Sequence, residues 1–398
     1  MKQQRDIALL PIFGSPEPRK RPFLLLFLRR RWRGIVIAAF LLLWTIRSYR
    51  LSSPSRLHAI TSNEIAFEAS HASGSDDPTD FLPLPEAQAL CGAQRWPVFN
   101  ADARGPRRKI YDLFMVNNEL DWVEIRMETM AKHVDYFVIV ESPVTFTMLP
   151  KPLTISDNWD RFAKFHKQII YKVLENPPYG ARLTWDYEDH QRNAMFTQVF
   201  PRLQGEQAAS PGDVVIVSDV DEIVRPAALL VLRNCDFPKR LTLRSQFFYY
   251  GFQFLHKGLE WQHPQATTFQ GTSDTILPAN LRAGEGGSRV VAWRDKADLW
   301  NAGWHCSSCF ATIEDLLTKM KSFSHMSLNL EKYRDRDRII DRVRNGLDLW
   351  DRKSEFYEKI PRNKDIPEIL KSEPARFSYL FDREGPNAGF QDVPATGN

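Results

Sequence analysis

Several things are missing from this chain of 398 residues. It contains no Asn-x-Ser/Thr sequon, so no glycosylation signal marks a lumenal surface, and it contains no internal repeat, which excludes solenoids and propellers. Histidine is scarce: nine residues, scattered, do not supply the ligand set of a two-metal hydrolase. Cysteine is limited to Cys91, Cys235, Cys306 and Cys309, and only the last two have a paired spacing, which argues against a zinc module. Four cysteines are compatible with two disulfides in an oxidising compartment, in any of three pairings. Basic charge is missing from the body: residues 1–33 hold nine Lys/Arg against Asp6 and Glu17, a surplus of seven against a whole-chain +4, so the remainder carries −3. That balance excludes a nucleic-acid footprint. A long apolar run is missing too, since the N-terminal one, Gly34–Ile46, has thirteen residues against the roughly 20 that span a bilayer.

What is present reads as an anchored globular body. Trp32, Arg33, Trp44 and Arg47 flank or end the short run and can stretch it by snorkelling, and no small-x-small cleavage site follows Ile46. Residues 34–46 are therefore expected to be an uncleaved signal anchor, with the basic tail of residues 1–33 cytosolic and the body lumenal. Residues 47–105 are rich in Ser, Pro and acids without structural period and are expected to be a stem. With 43% hydrophobic and 12% aromatic residues the rest can bury a real core, expected over residues 106–360, before a loose tail over 361–398.

From Lys109 apolar runs and amphipathic stretches alternate. Lys109–Val116, Asp135–Ser142 and Ile169–Leu174 read as strands; Glu119–Val134, Asp157–Gln168 and Tyr187–Leu203 read as helices. The pitch predicts an α/β fold with a doubly wound, mostly parallel sheet covered by helices on both faces. "GDVVIVSDVDEIVRP" (Gly212–Pro226) then sets a uniformly apolar strand before Asp219, Asp221 and Glu222. Ligands bind beyond the carboxyl ends of such strands, and acids gathered there imply a cation. Asp219 and Asp221 project to one side of an extended chain and suit Mg²⁺ or Mn²⁺, Asp221 foremost and Asp219 reaching metal or ribose. A solvated acidic turn is the alternative. Asn117, Glu119 and Glu141 end the first two strands and are candidate donor contacts or caps. Arg192 is a candidate diphosphate partner or a surface ion pair.

These motifs together resemble glycosyltransferase family 17. The resemblance rests on "VNNELD" (Val116–Asp121), "VIVES" (Val138–Ser142), "PKPL" (Pro150–Leu153), Trp185…Asp189…Arg192, Asp219–Glu222, "YYGFQF" (Tyr249–Phe254) and "GWHCSSCF" (Gly303–Phe310), in order, over about residues 109–350. It implies a GT-A-like fold, a UDP-GlcNAc donor, a divalent metal, a glycan or glycoprotein acceptor and a single-pass type II Golgi topology. Inverting transfer needs a base, for which Glu222 and Asp189 are candidates; Glu222 could equally be a helix-entry acid. His305 could complete the metal site or meet the diphosphate, with His325, Lys319 and Lys321 as further phosphate or metal contacts. Cys306 and Cys309 are expected to form a disulfide. "FFYYGFQF" with Trp261 and His263 could line a sugar platform, half of it necessarily core. Glu331–Arg352 is expected to be an amphipathic helix. A glycan-binding protein with an inactive transferase fold, or a metal-dependent phosphohydrolase, are the competing functions.

Overall fold

The computed structural model describes residues 36–45, 81–100, 107–176, 184–284, 295–322 and 328–394, and the chain divides into two compact units, residues 1–56 and 57–398. In the first unit a helix over residues 36–45 lies within the run expected as an anchor, with exposed side chains. No helix among the described residues is long and apolar enough to cross a membrane.

In the second unit β1 (Ile110–Met115), β2 (Tyr136–Glu141), β3 (Ile169–Val173) and β4 (Val214–Asp219) form a parallel half-sheet in the order β3-β2-β1-β4. Parallel neighbours need crossovers, and the helices α2 (Leu120–Met130), after β1, and α3 (Thr184–Thr197), before β4, supply them. β1 shows why its strand is apolar at every position but Asp112. Ile110 and Phe114 enter one core with Trp122, Val123 and Met127 of α2, whereas Tyr111, Leu113 and Met115 enter another with Ala194, Met195 and Phe196 of α3. Each such fully buried side chain contributes about 1.5–3 kcal/mol relative to exposure.

The other half departs from the mostly parallel expectation. After β5 (Glu222–Val224) and the helix α4 (Pro226–Asn234), β6 (Arg240–Tyr249) runs antiparallel to both β7 (Gly251–His256) and β8 (Gln265–Thr268). β8 joins it to β4, also antiparallel. On its far edge β6 meets β9 (Lys296–Ser307) in parallel, and β9 also pairs antiparallel with β5. β10 (Tyr357–Lys359) closes the β7 edge. The sheet is therefore mixed, because "FFYYGFQF" is a hairpin: Tyr250 turns at φ +65° and Gly251 restarts the chain. A Cβ on Gly251 would lie 2.8 Å from the carbonyl oxygen of Leu380, so glycine is what lets the C-terminal segment seat there.

That segment corrects the expected loose tail. Ile366, Leu370, Phe377, Leu380 and Phe390 are buried, and the fully buried guanidinium of Arg383 donates to the carbonyls of Tyr250, Phe310 and Ala388. The stem expectation is corrected at its C-terminal end: α1 (Leu84–Gln94) is fixed to the body by a Cys91–Cys235 disulfide and by Asn234, which accepts from the backbone N–H of Leu82 through its side chain and of Phe99 through its carbonyl. The amphipathic stretch is shorter than expected. Asp335 caps it through the N–H of Arg338 and Gly346 ends it at φ +62°, leaving a helix of residues Arg336–Asn345.

Candidate active site

The acidic turn sits at the carboxyl end of β4, in the middle of the sheet. It is hung from the core by Arg126, a fully buried residue of α2. Arg126 pairs with the buried Asp112 of β1, donates to Ser218 Oγ, and reaches the carbonyls of Asp219 (3.2 Å) and Glu222 (2.6 Å). A buried arginine without that carboxylate would be costly, so Asp112 and Arg126 are one device. β5 then lies against β9, which places His305 directly across from Glu222. The approach depends on Gly303, whose Cβ would fall 2.5 Å from the carbonyl oxygen of Ile223. Cys306 and Cys309 are disulfide-bonded, and Trp122 Nε1 donates to the Cys309 carbonyl at 2.9 Å, tying "GWHCSSCF" to α2.

The acids do not face each other unneutralised. Arg282, at the end of the short helix α5 (Pro278–Arg282), donates to Asp219 Oδ2 (2.6 Å) and to both oxygens of Glu222 (2.8 Å each). Arg192 of α3 reaches Asp219 Oδ1 (3.1 Å) while holding Glu188 (2.6 Å). Lys319, on the helix α6 (Ile313–Ser322), lies 3.0 Å from Asp221 Oδ2 and 3.3 Å from Glu119. The self-repulsion that suggested an external cation is thus relieved by three cations of the chain. Burial pushes the carboxyl pKa values of Asp219 and Glu222 up, but Arg282 with Arg192 at Asp219, and Arg282 through its charge and hydrogen bonds at Glu222, hold both below the usual carboxylate range, Glu222 far below. Burial likewise works against the Lys319 ammonium, and Asp221 and Glu119 outweigh it, raising its pKa above the usual value.

Glu222 is the most constrained acid. Fully buried, it accepts the backbone N–H of Asp219 (2.9 Å), the Trp261 indole N–H (2.7 Å) and Arg282. Both of its oxygens are engaged, so the geometry makes Glu222 a support of the turn. Asp189 is exposed on α3 and lines the same cavity as the acids.

The first strands meet the turn less directly. Glu119 is buried and accepts the N–H groups of Asn117 and Asn118, capping the turn into α2; Asn117 Nδ2 donates to Ser322 Oγ at 2.7 Å. Glu141 is fully buried beneath the loop that follows β2: it accepts the N–H of Ile155 and the Tyr171 hydroxyl, and Lys151 lies 3.5 Å away. It does not line the cavity that Asn117, Glu119, Lys151, Arg192 and the acidic turn share. Lys321 is exposed and likewise outside that lining; His325 lies outside the described residues.

Among the described residues no group of three or more His, Cys, Asp or Glu side chains is arranged to hold a metal ion. A pair fits. His305 Nε2 stands 3.8 Å from Asp221 Oδ1, somewhat wider than the about 3 Å between adjacent ligands of one octahedral ion, and burial lowers the pKa of His305, favouring the neutral ligand form. Its Nδ1 is buried without a protein partner. Such a pair suits an ion whose remaining ligands come from phosphate oxygens and water. Asp219, engaged by two arginines, is less suited.

Sequence reasoning missed Arg282 and Arg126. Arg282 stands in "PANLR" with no spacing to mark it, whereas Arg126 left a signal: one charge on the apolar face of α2, and one, Asp112, inside an apolar strand.

Comparison with known proteins matches residues 76–381 to glycosyltransferase family 17. The chain is 26% identical over 307 residues to human β-1,4-mannosyl-glycoprotein 4-β-N-acetylglucosaminyltransferase and 25% to the Rattus norvegicus protein of that name, covering 69% of this chain in both cases. It spans about half the length of these curated relatives, 55%. A mannosyltransferase from Pyrobaculum calidifontis, solved with GDP-mannose and Mn²⁺, overlaps at TM-score 0.31 and 10% identity, covering 75% of this chain and 77% of its own. That overlap is too loose to assign any residue.

Proposed function

The chain belongs to glycosyltransferase family 17, and from that premise we propose that it transfers N-acetylglucosamine from UDP-GlcNAc to a mannose-bearing glycan with inversion at the anomeric carbon. The observation that carries the reading is the charge arrangement: an acidic turn at the end of the central strand, ringed by Arg192, Arg282 and Lys319, opening on a cavity of about 1600 Å³. Cations poised on carboxylates can exchange them for phosphate oxygens, and arginine's fork matches a diphosphate. Lys319 and Arg192 are assigned to the donor diphosphate, Asn117 and Glu119 to the nucleoside end. Glu141 supports that end from below by holding Ile155 and Lys151.

Asp221 and His305 would hold a divalent cation, Mn²⁺ or Mg²⁺, with Asp219 at its margin. Bound there, it would neutralise the charge that develops on the diphosphate as the sugar leaves. Asp189, exposed to the cavity, is assigned as the base that takes the proton of the acceptor hydroxyl, on geometry alone.

Residues 34–46 are assigned as an uncleaved anchor of a single-pass type II Golgi protein. The upstream basic tail, the two disulfides and relatives named for acting on glycoproteins support this. Protease added to intact microsomes should then trim only the N-terminal tail.

The function is tested by offering a nucleotide-sugar panel with Mn²⁺ to the full chain in detergent. UDP-GlcNAc should be consumed fastest, and UDP should appear slowly even without acceptor. Faster use of GDP-mannose or UDP-galactose removes the donor assignment. Absence of any turnover leaves a glycan-binding protein, and phosphate release regardless of the sugar leaves a phosphohydrolase.

A further inference from the structure

We propose that Trp261, Phe247 and His305 form an acceptor subsite on which one pyranose ring of the glycan lays its apolar face; the ligand class rests on the transferase reading above. The first observation is size. A cavity of about 1600 Å³ exceeds the about 300–1,000 Å³ of a single small-ligand pocket, so a nucleotide sugar leaves room for a second ligand. The second is where the rings lie. Core aromatics such as Phe114, Phe137 and Tyr250 are fully buried, whereas Trp261 and Phe247 are only half buried and line the cavity. Partly exposed rings facing a cavity carry an unspent apolar surface.

The third observation is rigidity. The Trp261 backbone exchanges two hydrogen bonds with Ser245 (2.8 and 3.0 Å), and its indole N–H is held by Glu222 at 2.7 Å. Glu222 is itself fixed by the Asp219 N–H and by Arg282, so it anchors the ring without depending on it. Phe247 stacks on His305 at 4.9 Å between centroids and 13° between planes, and Trp261 packs 5.4 Å from Phe247 and 4.8 Å from His305. Behind Phe247 the aromatic packing continues through Tyr357 and the fully buried Tyr249, stacked at 4.5 Å, to Trp350. This side of the cavity is formed by β6, β9 and the chain before β8, opposite the nucleoside end at β1. Because the Trp261 indole edge is held on Glu222, a pyranose laid on that ring would sit next to the acidic turn. Glu222, buried behind the ring, acts as a positioning residue through Trp261.

The test uses saturation-transfer NMR on the full chain with methyl β-D-mannoside as probe, beside thermal stabilisation by UDP with Mn²⁺. Wild type should saturate the mannoside ring protons, and Trp261→Ala should weaken that binding about tenfold or more, the effect of losing one central aromatic anchor. Trp261→Phe keeps a ring face and should retain most of the binding. UDP stabilisation of Trp261→Ala should match wild type. If Trp261→Ala loses UDP stabilisation in proportion, the ring serves the nucleotide or props the turn, and the subsite is overturned. It is overturned as well if Trp261→Ala binds the mannoside like wild type, or if wild type consumes UDP-GlcNAc but never saturates the mannoside. Mannoside binding that depends on Trp261 in a chain that consumes no nucleotide sugar keeps the subsite and removes the transferase reading.

Discussion

The two halves of the sheet are stabilised by the same means and organised by opposite ones. In the parallel half, β3-β2-β1-β4, each strand is short and largely apolar, β1, β2 and β3 pair in chain order with β4 added on the far side of β1, and helices cover both faces. In the other half β6 takes three neighbours, among them β9 from about fifty residues on, and its outer surface is covered by the C-terminal segment. Among several fully buried arginines, two fasten chain to chain at comparable places in the two halves, Arg126 beneath the acidic turn and Arg383 beneath the C-terminal segment. The difference is in their partners. Arg126 has a carboxylate, Asp112; Arg383 makes its hydrogen bonds to carbonyls, and burial pulls its pKa down to about 10. The side of the acidic turn is thereby built as a charged hub, and the side of the C-terminal segment on aromatic and backbone contacts.

Removing each arginine separates these roles most forcefully. Arg126→Met strands Asp112 and should cost about 3–5 kcal/mol of stability, read by denaturant unfolding, and should abolish UDP binding because the turn loses its suspension. Arg383→Met should cost about 3 kcal/mol by leaving three carbonyls unpaired, yet leave UDP stabilisation in place. Equal loss of UDP binding in both would mean that the halves are not separable. Next in size, Asp221→Asn should lower turnover about 10²–10³-fold with a melting temperature near that of wild type, since Lys319 keeps Glu119 as a partner. A large fall in melting temperature would instead make Asp221 a structural acid.

The disulfides extend the comparison at lower energy. Cys91 and Cys235 are 144 residues apart, so replacing both with serine should cost about 2–4 kcal/mol, whereas Cys306 and Cys309 are three apart and their replacement should cost clearly less. Similar losses would show that the short bridge holds β9 in place and does not merely close a turn. The smallest effect concerns acid. Burial, then the repulsion of Arg282, lowers His263 to about 4, against an ordinary value near 6.5. As pH falls from about 6.5 to about 4 the unfolded chain takes up a proton that the folded one refuses, so stability drops through that window. His263→Asn should flatten this part of the pH–stability curve, leaving the steeper loss below it to Asp219 and Glu222, whose depressed pKa values stabilise the fold only while they stay ionised.

The parallel half was legible because its strands and helices alternate locally. β1, β2, β3 and β4 all lie where the apolar runs place them, and Pro226 opens α4 as its position after the acids suggested. The acidic turn was legible as a place. Its counter-ions were not, because Arg282 reaches it from about sixty residues away and no spacing rule links them. The C-terminal segment was misread for a related reason. Leu370, Phe377, Leu380 and Phe390 show neither structural period, since they fill gaps between finished elements and do not line one face of their own. Asp335 and Gly346 would have bounded the helix Arg336–Asn345 correctly had caps been weighed above the apolar pattern.

The Cys91–Cys235 bridge also bears on how the chain survives cutting. It joins α1, at the start of the body, to the end of α4, so β1 to β4 and the acidic turn all lie within the closed loop. A single peptide cleavage anywhere between residues 91 and 235 cannot release a fragment until the bridge is reduced: the nicked protein runs as one band without thiol and as two with it. A cut before residue 81, by contrast, leaves the whole body with its covalent frame intact. Cleavage upstream of the body and cleavage inside it thus leave different products, and a non-reducing gel tells them apart.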